Sequence, residues 1–441
     1  MNNYFKKIEN FIFNNYINNY PNELKNKFNY LIENGKRLRP ILCIIFSNFE
    51  YNKNIIINHN IYNINNYYLN NNNNNNSNII YNIATSIEII HSLSLVLDDL
   101  PEMDNDIMRR NKDSFHIKYG IEYTNFFIYY MFNKIGLILD DSINLTYTNN
   151  INKNELILLI NIFDDIKYLF QRNLNVLIDG QYNDLEFGNS IFLDNNINID
   201  NEINNYEYIK EKDIIIELLN NNIDNHKLTK IITLKIIDDI ELNINLNLKK
   251  TSSLFTLSIT IGYFLQLFNN KINYVDNEEY TIIYEHLNTF GNILGYIFQI
   301  SDDILDYEDD IKNNNPNICS ILDTSIVLIL LKNGCNWLYI NAIYIKQLME
   351  NINNEKDIIN NDKDIINIEK YIRNNDKDII NNEINNKDYI CLDDNRNHKL
   401  TFDIKAVNEI IENIENRINK FEDLQSKNLQ SDYLQFEDLE L

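Results

Sequence analysis

The sequence predicts an all-α protein. Nine glycines and four prolines in 441 residues supply too few turns for a many-stranded sandwich or barrel. No block shows the sustained alternation of apolar and polar residues that is typical of strands. Blocks of mixed composition with helical periodicity lie instead at about 22–50, 81–185, 248–268 and 281–345. We therefore expect one helical domain built from these blocks.

The blocks are separated by tracts of Asn, Ile, Asp and Lys, near 51–80, 186–247 and 345–400. Polar tracts of this kind rarely bury enough apolar surface to offset chain entropy. We expect a single domain over 1–441 that carries these low-complexity tracts as surface insertions. A last block, AVNEIIENIENRINKF, predicts an amphipathic helix, whose apolar face comprises Val407, Ile410, Ile411, Ile414 and Ile418.

Charge restricts the partners. The chain has 39 Lys and Arg against 64 Asp and Glu, a formal net charge of −25. Nucleic acids and anionic lipids are bound through Lys and Arg, so this balance predicts no nucleic-acid partner. The charge also makes any dense group of basic residues conspicuous.

Cysteine usage and hydropathy bear on location. The four cysteines form no CxxC pair and no disulfide framework, which suits a reducing compartment. The N-terminal residues lack the apolar core of a secretory signal. A stretch of about 20 uncharged residues at Thr251–Asn270 is interrupted by Ser, Thr and Gln, so we expect no transmembrane segment. The expected location is cytoplasmic, and the sequence leaves an organelle open.

One acidic cluster lies in FQISDDILD. Asp302 and Asp306 are spaced i and i+4, on one face of a helix, with Asp303 beside them. Like charges at this spacing repel each other unless a cation lies between them. Mg²⁺ is the natural cation, since it prefers carboxylate oxygens completed by substrate phosphates, and Mn²⁺ is a possible substitute.

A second acidic cluster lies in SLVLDDLPEMDNDIMRR. Asp98 and Asp104 are six residues apart, a spacing that a straight helix does not place on one face. Pro101 cannot continue the helical ladder, so a bend there can return Asp104 to Asp98. Glu102, at i+4 from Asp98, is the alternative on a regular helix. Either cluster alone could be a solvated helix end, but two such clusters favour a paired metal site.

Basic residues are concentrated at few points in the patterned blocks. GKRLRP places Lys36, Arg37 and Arg39 within four residues. The other dense points are Arg109-Arg110 and Lys249-Lys250. Arg binds phosphate oxygens in a bidentate manner and Lys contributes a point charge. The combination predicts two diphosphates, one bound through metal and one bound directly, with His91 as a further donor or as a buried structural histidine.

At this point the chain resembles the trans-isoprenyl diphosphate synthase family, which includes farnesyl and geranylgeranyl diphosphate synthases. The resemblance rests on five segments in the family's order, which together cover about half of the chain. The first aspartate motif, with its Leu-Pro insertion, is similar to that of the bacterial and plant-type subgroup. The segments are GKRLRP, IIHSLSLVLDDLPEMDNDIMRR, GQYNDLE, KKTSSLF and FQISDDILD.

The resemblance implies a bundle of long helices around a deep central cavity, a homodimer, and about three Mg²⁺ ions that hold an allylic diphosphate. The implied metal ligands are Asp98, Asp99, Asp104, Asp302, Asp303 and Asp306. The residues implied on the allylic side are Arg109, Lys250, Thr251 and Gln299. Those implied for isopentenyl diphosphate are Lys36, Arg39, His91 and Arg110. Catalysis would depend most on Asp98, Asp99, Asp104, Arg109, Lys250 and Asp302.

The chain departs from the family pattern after the second motif. Asp323 stands where the family has a lysine, and Asn111 stands where glycine usually follows the two arginines. The altered loop motivates an alternative function, a weak or inactive family member that serves as a partner subunit or regulator. A terpene cyclase or head-to-head synthase is a further alternative, but a cyclase binds one diphosphate and has little need of GKRLRP.

Product length is predicted from the residues that precede Asp98 on its helix. Leu93 and Ser94 lie five and four residues before it, where the implied cavity continues. An aromatic side chain there would form a floor, whereas Leu and Ser leave room. The sequence therefore favours a geranylgeranyl product over a farnesyl product.

Overall fold

The computed structural model describes most of the patterned blocks, and their structure is helical. It describes residues 2–15, 22–48, 72–144, 153–192, 208–220, 234–270, 272, 274, 277–313, 317–353 and 400–417. The only strands in these described ranges are the two short ones of a single hairpin. The all-α prediction is confirmed.

The first half of the chain contains seven helices and the hairpin in its described part. These elements are α1 (Asn2–Asn15), α2 (Asn22–Ile32), α3 (Leu38–Phe46), α4 (Asn72–Asp98), β1 (Met108–Arg109), β2 (Lys112–Asp113), α5 (Phe115–Tyr119), α6 (Ile121–Asn144) and α7 (Lys153–Phe192).

The second half begins with two helices from an Asn-rich tract and ends with an amphipathic helix. The elements are α8 (Ile209–Asn220), α9 (Leu234–Asn247), a π-helical segment (Leu248–Ser252), α10 (Ser253–Asn269), α11 (Glu278–Asn313), α12 (Ile318–Ile321), α13 (Thr324–Asn353) and α14 (404–417).

Helix α10 forms the centre of the core. Each of its residues from Ser253 to Phe268 is buried, because α3, α7 and α11 pack around it. Its hydroxyl groups are satisfied locally: Ser258 Oγ donates to the carbonyl of Leu254 at 2.6 Å. Serines and threonines in an apolar helix are compatible with full burial when they bond in this way.

The Asn-rich tracts do not lie wholly at the surface, which corrects the prediction for part of their length. Helices α8 and α9 fall within 186–247, and their residues Ile215 and Ile244 are fully buried. Isoleucines at helical spacing bury one face however many asparagines lie between them. Helix α4 begins inside 51–80 and α13 extends into 345–400. The remaining parts of the tracts, 51–71, 193–207, 221–233 and 354–399, lie outside the described residues.

Helix α14 has the amphipathic character that the sequence predicts. Val407, Ile410, Ile411 and Ile414 are all buried, while Lys405 and Glu409 are exposed. Ile418 lies outside the described residues. The buried face fixes α14 against the rest of the bundle.

The hairpin turn explains an unusual residue. Arg110 and Asn111 connect β1 to β2 with φ angles of 52° and 62°, in the left-handed region. Asparagine tolerates this region better than other residues with a side chain. Asn111 therefore replaces the expected glycine while keeping the same tight turn.

Within the described residues, three helical stretches are long and apolar enough to cross a membrane, by length and composition only. They are Ile79–Asp98, Asp239–Asn269 and Thr324–Ile352, and the protein buries 83%, 100% and 44% of their most apolar windows. The absence of a transmembrane segment stays a prediction.

Candidate functional site

The first acidic cluster begins where α4 ends. The backbone N–H of Asp104 donates to the carbonyl oxygen of Asp98 at 2.9 Å, so the chain does return to the helix end. The return is a turn that follows α4, and not a bend within a longer helix. Pro101 lies in this turn. It disfavours continuation of α4, because proline cannot donate a backbone hydrogen bond and disfavours helical geometry in the residue before it. Glu102 lies in the same turn and is exposed.

The two adjacent aspartates of this cluster have different partners. Asp98 is 6% exposed, and its Oδ1 lies 3.5 Å from Lys250 Nζ. Asp99 is 1% exposed and accepts a hydrogen bond of 2.7 Å from Arg109 Nε. Burial raises the pKa of Asp99 to about 6, against the opposing effect of Arg109. Asp106, which the sequence did not single out, also binds Arg109 at 2.9 Å.

The three cations of GKRLRP lie at the start of α3 and have different roles. Arg37 is 2% exposed, and its Nη1 lies 2.7 Å from Glu88 Oε1 while its Nε lies 2.5 Å from Glu9 Oε1. It adopts a left-handed backbone with φ of 56°. A Cβ atom at Gly35 would collide with the Arg37 guanidinium, so the turn needs glycine there. Arg37 therefore anchors the turn through Glu9 and Glu88. Lys36 is the cation of this turn that could bind a ligand.

Arg39 and His91 form a second pair inside the site. Arg39 Nη1 lies 3.1 Å from His91 Nε2, and the guanidinium stacks 4.6 Å above the ring of Phe255. Burial, followed by the positive charges of Arg39 and Arg110, lowers the pKa of His91 well below its usual value. The neutral ring then accepts through Nε2 from Arg39. His91 therefore positions Arg39 through Nε2. To donate a hydrogen bond to a diphosphate, as the sequence predicts, the ring would have to use Nδ1.

The π-helical segment presents Lys250 and Thr251. π-Helical turns are rare and often mark functional sites. Gly180 of α7 lies against this segment: a Cβ atom there would stand 2.7 Å from the backbone nitrogen of Lys250. The glycine of GQYNDLE thus permits close approach of the two backbones. The side chains of that motif from residue 184 onward lie outside the described residues.

Hydrogen bonds lead from the π-helical segment to the second acidic cluster. Thr251 Oγ1 donates to Gln299 Oε1 at 2.8 Å, and Gln299 Nε2 donates to Asp303 Oδ1 at 2.8 Å. Asp303 is 5% exposed and also accepts from the backbone N–H of Ile318 at 3.3 Å. Burial raises the pKa of Asp303 to about 7.

Asp302 and Asp306 have a more open position than Asp303. Asp306 is exposed, one turn after Asp302 on α11. Asp302 forms an ion pair with Arg417 of α14, and Arg417 Nη1 donates to Ser301 Oγ at 3.0 Å. Arg417 was not among the site residues that the sequence predicted. Its only signal was a basic residue at the end of an amphipathic helix that has more acidic than basic residues.

Asp323 has a local structural role. Its Oδ1 accepts from the backbone N–H of Ser325 at 2.8 Å, and its carbonyl accepts from Ile326 and Val327. It caps the N-terminus of α13. The side chain of Lys312, the last lysine before Asp323 in the sequence, lies outside the described residues.

These contacts bring the two acidic clusters to one site, although Asp104 and Asp302 lie 198 positions apart in the sequence. Two consecutive residues connect the clusters. Lys250 contacts Asp98 of the first cluster, and Thr251 contacts Gln299, which donates to Asp303 of the second cluster. Leu93 and Ser94 are buried on α4 behind Asp98.

Comparison with known proteins identifies the family of this chain. The sequence profile of the family described as polyprenyl synthetase matches residues 21–213 and 220–369. The chain belongs to the polyprenyl synthetase family. The resemblance to trans-isoprenyl diphosphate synthases that the sequence predicted is confirmed.

Individual relatives of this polyprenyl synthetase match over part of their length. The farnesyl diphosphate synthase of Buchnera aphidicola (Acyrthosiphon pisum) is 28% identical over 241 residues, which cover 54% of this chain and 61% of that enzyme. The mitochondrial geranylgeranyl pyrophosphate synthase 10 of Arabidopsis thaliana is 32% identical over 90 residues, 20% of each chain. The solved geranyltransferase of Helicobacter pylori is 20% identical, with a TM-score of 0.49 over 79% of this chain and 94% of that one.

The polyprenyl synthetase family generally uses Mg²⁺, and the donor chemistry of this chain fits that ion. Within the described ranges, no three His, Cys, Asp or Glu side chains lie close enough to share one ion. One or two carboxylates completed by phosphate and water are the usual ligands of Mg²⁺, so this arrangement suits it. Asp98, Asp104, Asp302 and Asp306 are the residues that could hold it. Asp99 and Asp303 accept hydrogen bonds from Arg109 and Gln299, and Asp98 and Asp302 form ion pairs with Lys250 and Arg417.

A shallow cleft lies beside Asp99 in this polyprenyl synthetase. Arg109 and Arg110 line it together with Ser92 and Leu95 of α4. Arg110 Nη1 donates to the carbonyl of Glu33 at 3.2 Å. Arg109 reaches the first acidic cluster through Asp99, while Lys250 reaches the same cluster through Asp98.

Proposed function

We propose that this chain is a prenyltransferase that condenses isopentenyl diphosphate with an allylic diphosphate. The observation that carries the proposal is the pair of contacts from consecutive residues of the π-helical segment. Lys250 reaches Asp98 of the first acidic cluster, and Thr251 reaches Gln299 beside the second. A chain whose acidic clusters were only solvated helix ends would have no reason to bring both against one segment.

Two groups of cations support two diphosphate sites. Lys250 stands beside the carboxylates and suits an allylic diphosphate held there. Lys36 and Arg39 stand at the turn before α3, held by the buried contacts of Arg37 and His91. This second group suits the diphosphate of isopentenyl diphosphate, since guanidinium and ammonium groups bind phosphate oxygens directly.

The reaction follows from this separation. When bound, Mg²⁺ neutralises charge on the allylic diphosphate. The allylic C–O bond breaks, the diphosphate leaves with the bonding electrons, and the isopentenyl double bond attacks the resulting cation. A proton is then lost to the departed diphosphate, so no side-chain base is required. The polar groups of Thr251 and Gln299 and the ring of Phe298 lie where positive charge develops.

We infer a geranylgeranyl product over a farnesyl product from the side chains before Asp98. Leu93 and Ser94 are both buried, and Ser94 Oγ donates to the carbonyl of His91 at 2.9 Å. Neither side chain is aromatic, so neither closes the space one to two turns below the carboxylates. Longer products are also compatible with this argument.

We further propose a homodimer that associates through α6. Four aromatic side chains of this helix are exposed, which is costly for a helix that remains in water. Phe126 and Tyr129 are 74% and 73% exposed, and Tyr123 and Tyr130 extend the same face. A self-complementary apolar face of this kind suits a second copy of the chain. Phe126→Glu should produce monomers, measured as a fall in molar mass by light scattering.

The proposed activity is tested with the full chain, Mg²⁺, isopentenyl diphosphate and farnesyl diphosphate, with products separated by chain length. Asp98→Ala and Asp302→Ala should each lower kcat/KM by about 10²–10³-fold, because each removes charge from the site of diphosphate departure. Asp140→Asn is the control, since Asp140 is 59% exposed and pairs with Lys167 on another surface. A control that loses as much activity as the site variants would refute the assignment.

A second candidate function is a non-catalytic partner subunit or regulator. It is favoured by the loop after the second acidic cluster, because the described residues 317–324 contain no Lys or Arg and Asp323 caps a helix. The same assay separates the two functions. Binding of farnesyl diphosphate without any elongated product would favour the subunit.

A further inference from the structure

Arg417 of α14 contacts the second acidic cluster. It forms an ion pair with Asp302, and its Nη1 donates to Ser301 Oγ at 3.0 Å. The guanidinium also stacks over the ring of Phe298, 5.3 Å from its centroid. Three different groups thus fix one side chain beside a carboxylate that could hold a metal.

Lys36 shares this ring with Arg417. Its Nζ lies 5.9 Å from the Phe298 centroid. Burial lowers the pKa of Lys36, and the charge of Arg417 lowers it further, while Asp302 and Asp306 oppose the shift. The two cations are therefore close enough to repel each other, and the Asp302 carboxylate compensates that repulsion.

A metal ion at Asp302 would reduce this compensation. Mg²⁺ and a guanidinium draw on the charge of the same carboxylate, so binding of the ion weakens the Arg417 contact. Lys36 and Arg417 would then remain side by side, while the Asp306 carboxylate still offsets part of their charge. A diphosphate anion restores the balance, because it carries several negative oxygens that accept from both.

We propose that Arg417 is an exchangeable diphosphate-binding residue: it holds Asp302 while the site is empty and transfers to a diphosphate oxygen, next to Lys36, when metal and substrate bind. The inference rests on the proposed function. It supplies the cation that the loop after the second acidic cluster does not. The backbone of α14 can stay in place during the exchange, since Ile410 and Ile414 anchor the helix in the core.

The exchange predicts opposite effects of one substitution on two ligands. In Arg417→Gln, Mn²⁺ added alone should bind about three- to tenfold more tightly, because the Asp302 carboxylate no longer has a cationic competitor. Inorganic pyrophosphate added with saturating Mg²⁺ should bind about tenfold more weakly, because one charge-assisted contact is lost. Mn²⁺ binding is followed by electron paramagnetic resonance and pyrophosphate binding by calorimetry.

Two further variants control the experiment. Lys405→Gln removes one positive charge from an exposed position at the other end of the same helix, and both affinities should stay at the wild-type values. Arg417→Lys keeps the charge without the planar fork, so its pyrophosphate affinity should lie between those of wild type and Arg417→Gln. The melting temperature of each variant separates lost binding from lost folding.

The outcomes are distinct. Opposite shifts in Arg417→Gln support the exchange, even if the wild-type chain elongates no substrate and the proposed function fails. Unchanged affinities, or weakening of both ligands with a lower melting temperature, would show that Arg417 only attaches α14 to the bundle and would overturn the inference. If the wild-type chain elongates farnesyl diphosphate and Arg417→Gln keeps wild-type affinities, the inference about Arg417 is wrong and the proposed function stands.

Discussion

Thr251 and Gln299 are joined by a hydrogen bond of 2.8 Å between the threonine hydroxyl and the amide oxygen. Gln299 in turn donates from Nε2 to Asp303, so both the oxygen and the nitrogen of its amide are hydrogen bonded. Since Lys250 is the neighbour of Thr251 and contacts Asp98, this bond fixes the distance between the two acidic clusters. The site therefore depends on the geometry of one short π-helical segment.

Thr251→Val should lower kcat about tenfold while leaving the free energy of unfolding nearly unchanged. Valine keeps the shape of threonine but cannot donate, so Gln299 loses its orientation. The matched control is Thr256→Val, which removes the 2.6 Å bond to Asn292 in the core. That variant should lose about 1–2 kcal/mol of stability and little activity. Turnover measurements and urea denaturation on both variants test the contrast.

Gly180→Ala should impair the site by pushing the π-helical segment away. A Cβ atom at this position would stand 2.7 Å from the Lys250 backbone nitrogen, which real contacts do not tolerate. We expect a loss of about 1–3 kcal/mol of stability and at least a tenfold fall in kcat/KM. Gly136→Ala is the control, because nothing lies within 4 Å of the added atom and alanine favours the helix. Equal effects of the two substitutions would contradict this account.

Leu93→Phe should shorten the product. Leu93 is fully buried on α4, one to two turns before Asp98, and in the proposed product cavity a larger ring would take up space that the growing chain needs. The matched control is Leu95→Phe, since Leu95 lines the cleft on the other face of the helix. Products are separated by chain length after incubation with isopentenyl diphosphate. Shortening by Leu95→Phe, with no change for Leu93→Phe, would place the growing chain on the wrong side of α4.

The sequence predicted the elements of the site better than their partners. Spacing alone placed Asp302 and Asp306 on one helical face, and the proline predicted the return of Asp104 to Asp98. Spacing does not report which cation lies opposite a carboxylate. The contacts Asp99 to Arg109 and Asp302 to Arg417 join segments whose relative positions depend on tertiary packing.

The Asn-rich tracts show a second limit of sequence reasoning. Composition predicted surface insertions, yet Ile215 and Ile244 are fully buried within one of them. Overall polarity averages over a helix, whereas packing depends on one face of it. An isoleucine every three or four residues is enough to bury α8 and α9, whatever occupies the positions between them.

Glu88→Gln should destabilise the protein by about 3 kcal/mol, because it leaves the buried Arg37 guanidinium with less than its full compensation. Glu88 and Arg37 are 1% and 2% exposed in their side chains, and 2.7 Å separates their charged atoms. Glu23→Gln removes the matching carboxylate of the Lys27 pair, where Glu23 is 84% exposed, and should cost less than about 1 kcal/mol. Urea denaturation of both variants tests this. A smaller loss in Glu88→Gln than in Glu23→Gln would contradict the anchoring role of Arg37.

His286→Phe should flatten the acid side of the stability profile. Burial, with a further effect of the positive charge of Lys210, lowers the pKa of His286 to about 4 from its ordinary 6.5. As the pH falls from 6.5 toward 4, the unfolded chain takes up a proton that the folded chain refuses. The free energy of unfolding therefore falls on acidification, by about 1.4 kcal/mol per pH unit inside this window.

Phenylalanine removes the titration while keeping an aromatic ring against Tyr344, whose centroid lies 5.2 Å from that of His286. Asp99 and Asp303, whose raised pKa values act in the opposite direction, are common to both proteins and cancel in the comparison. Urea denaturation between pH 5 and 7 should give wild type the larger loss of stability at acidic pH. Parallel curves for the two proteins would mean that the folded state binds a proton at His286 as readily as the unfolded chain does.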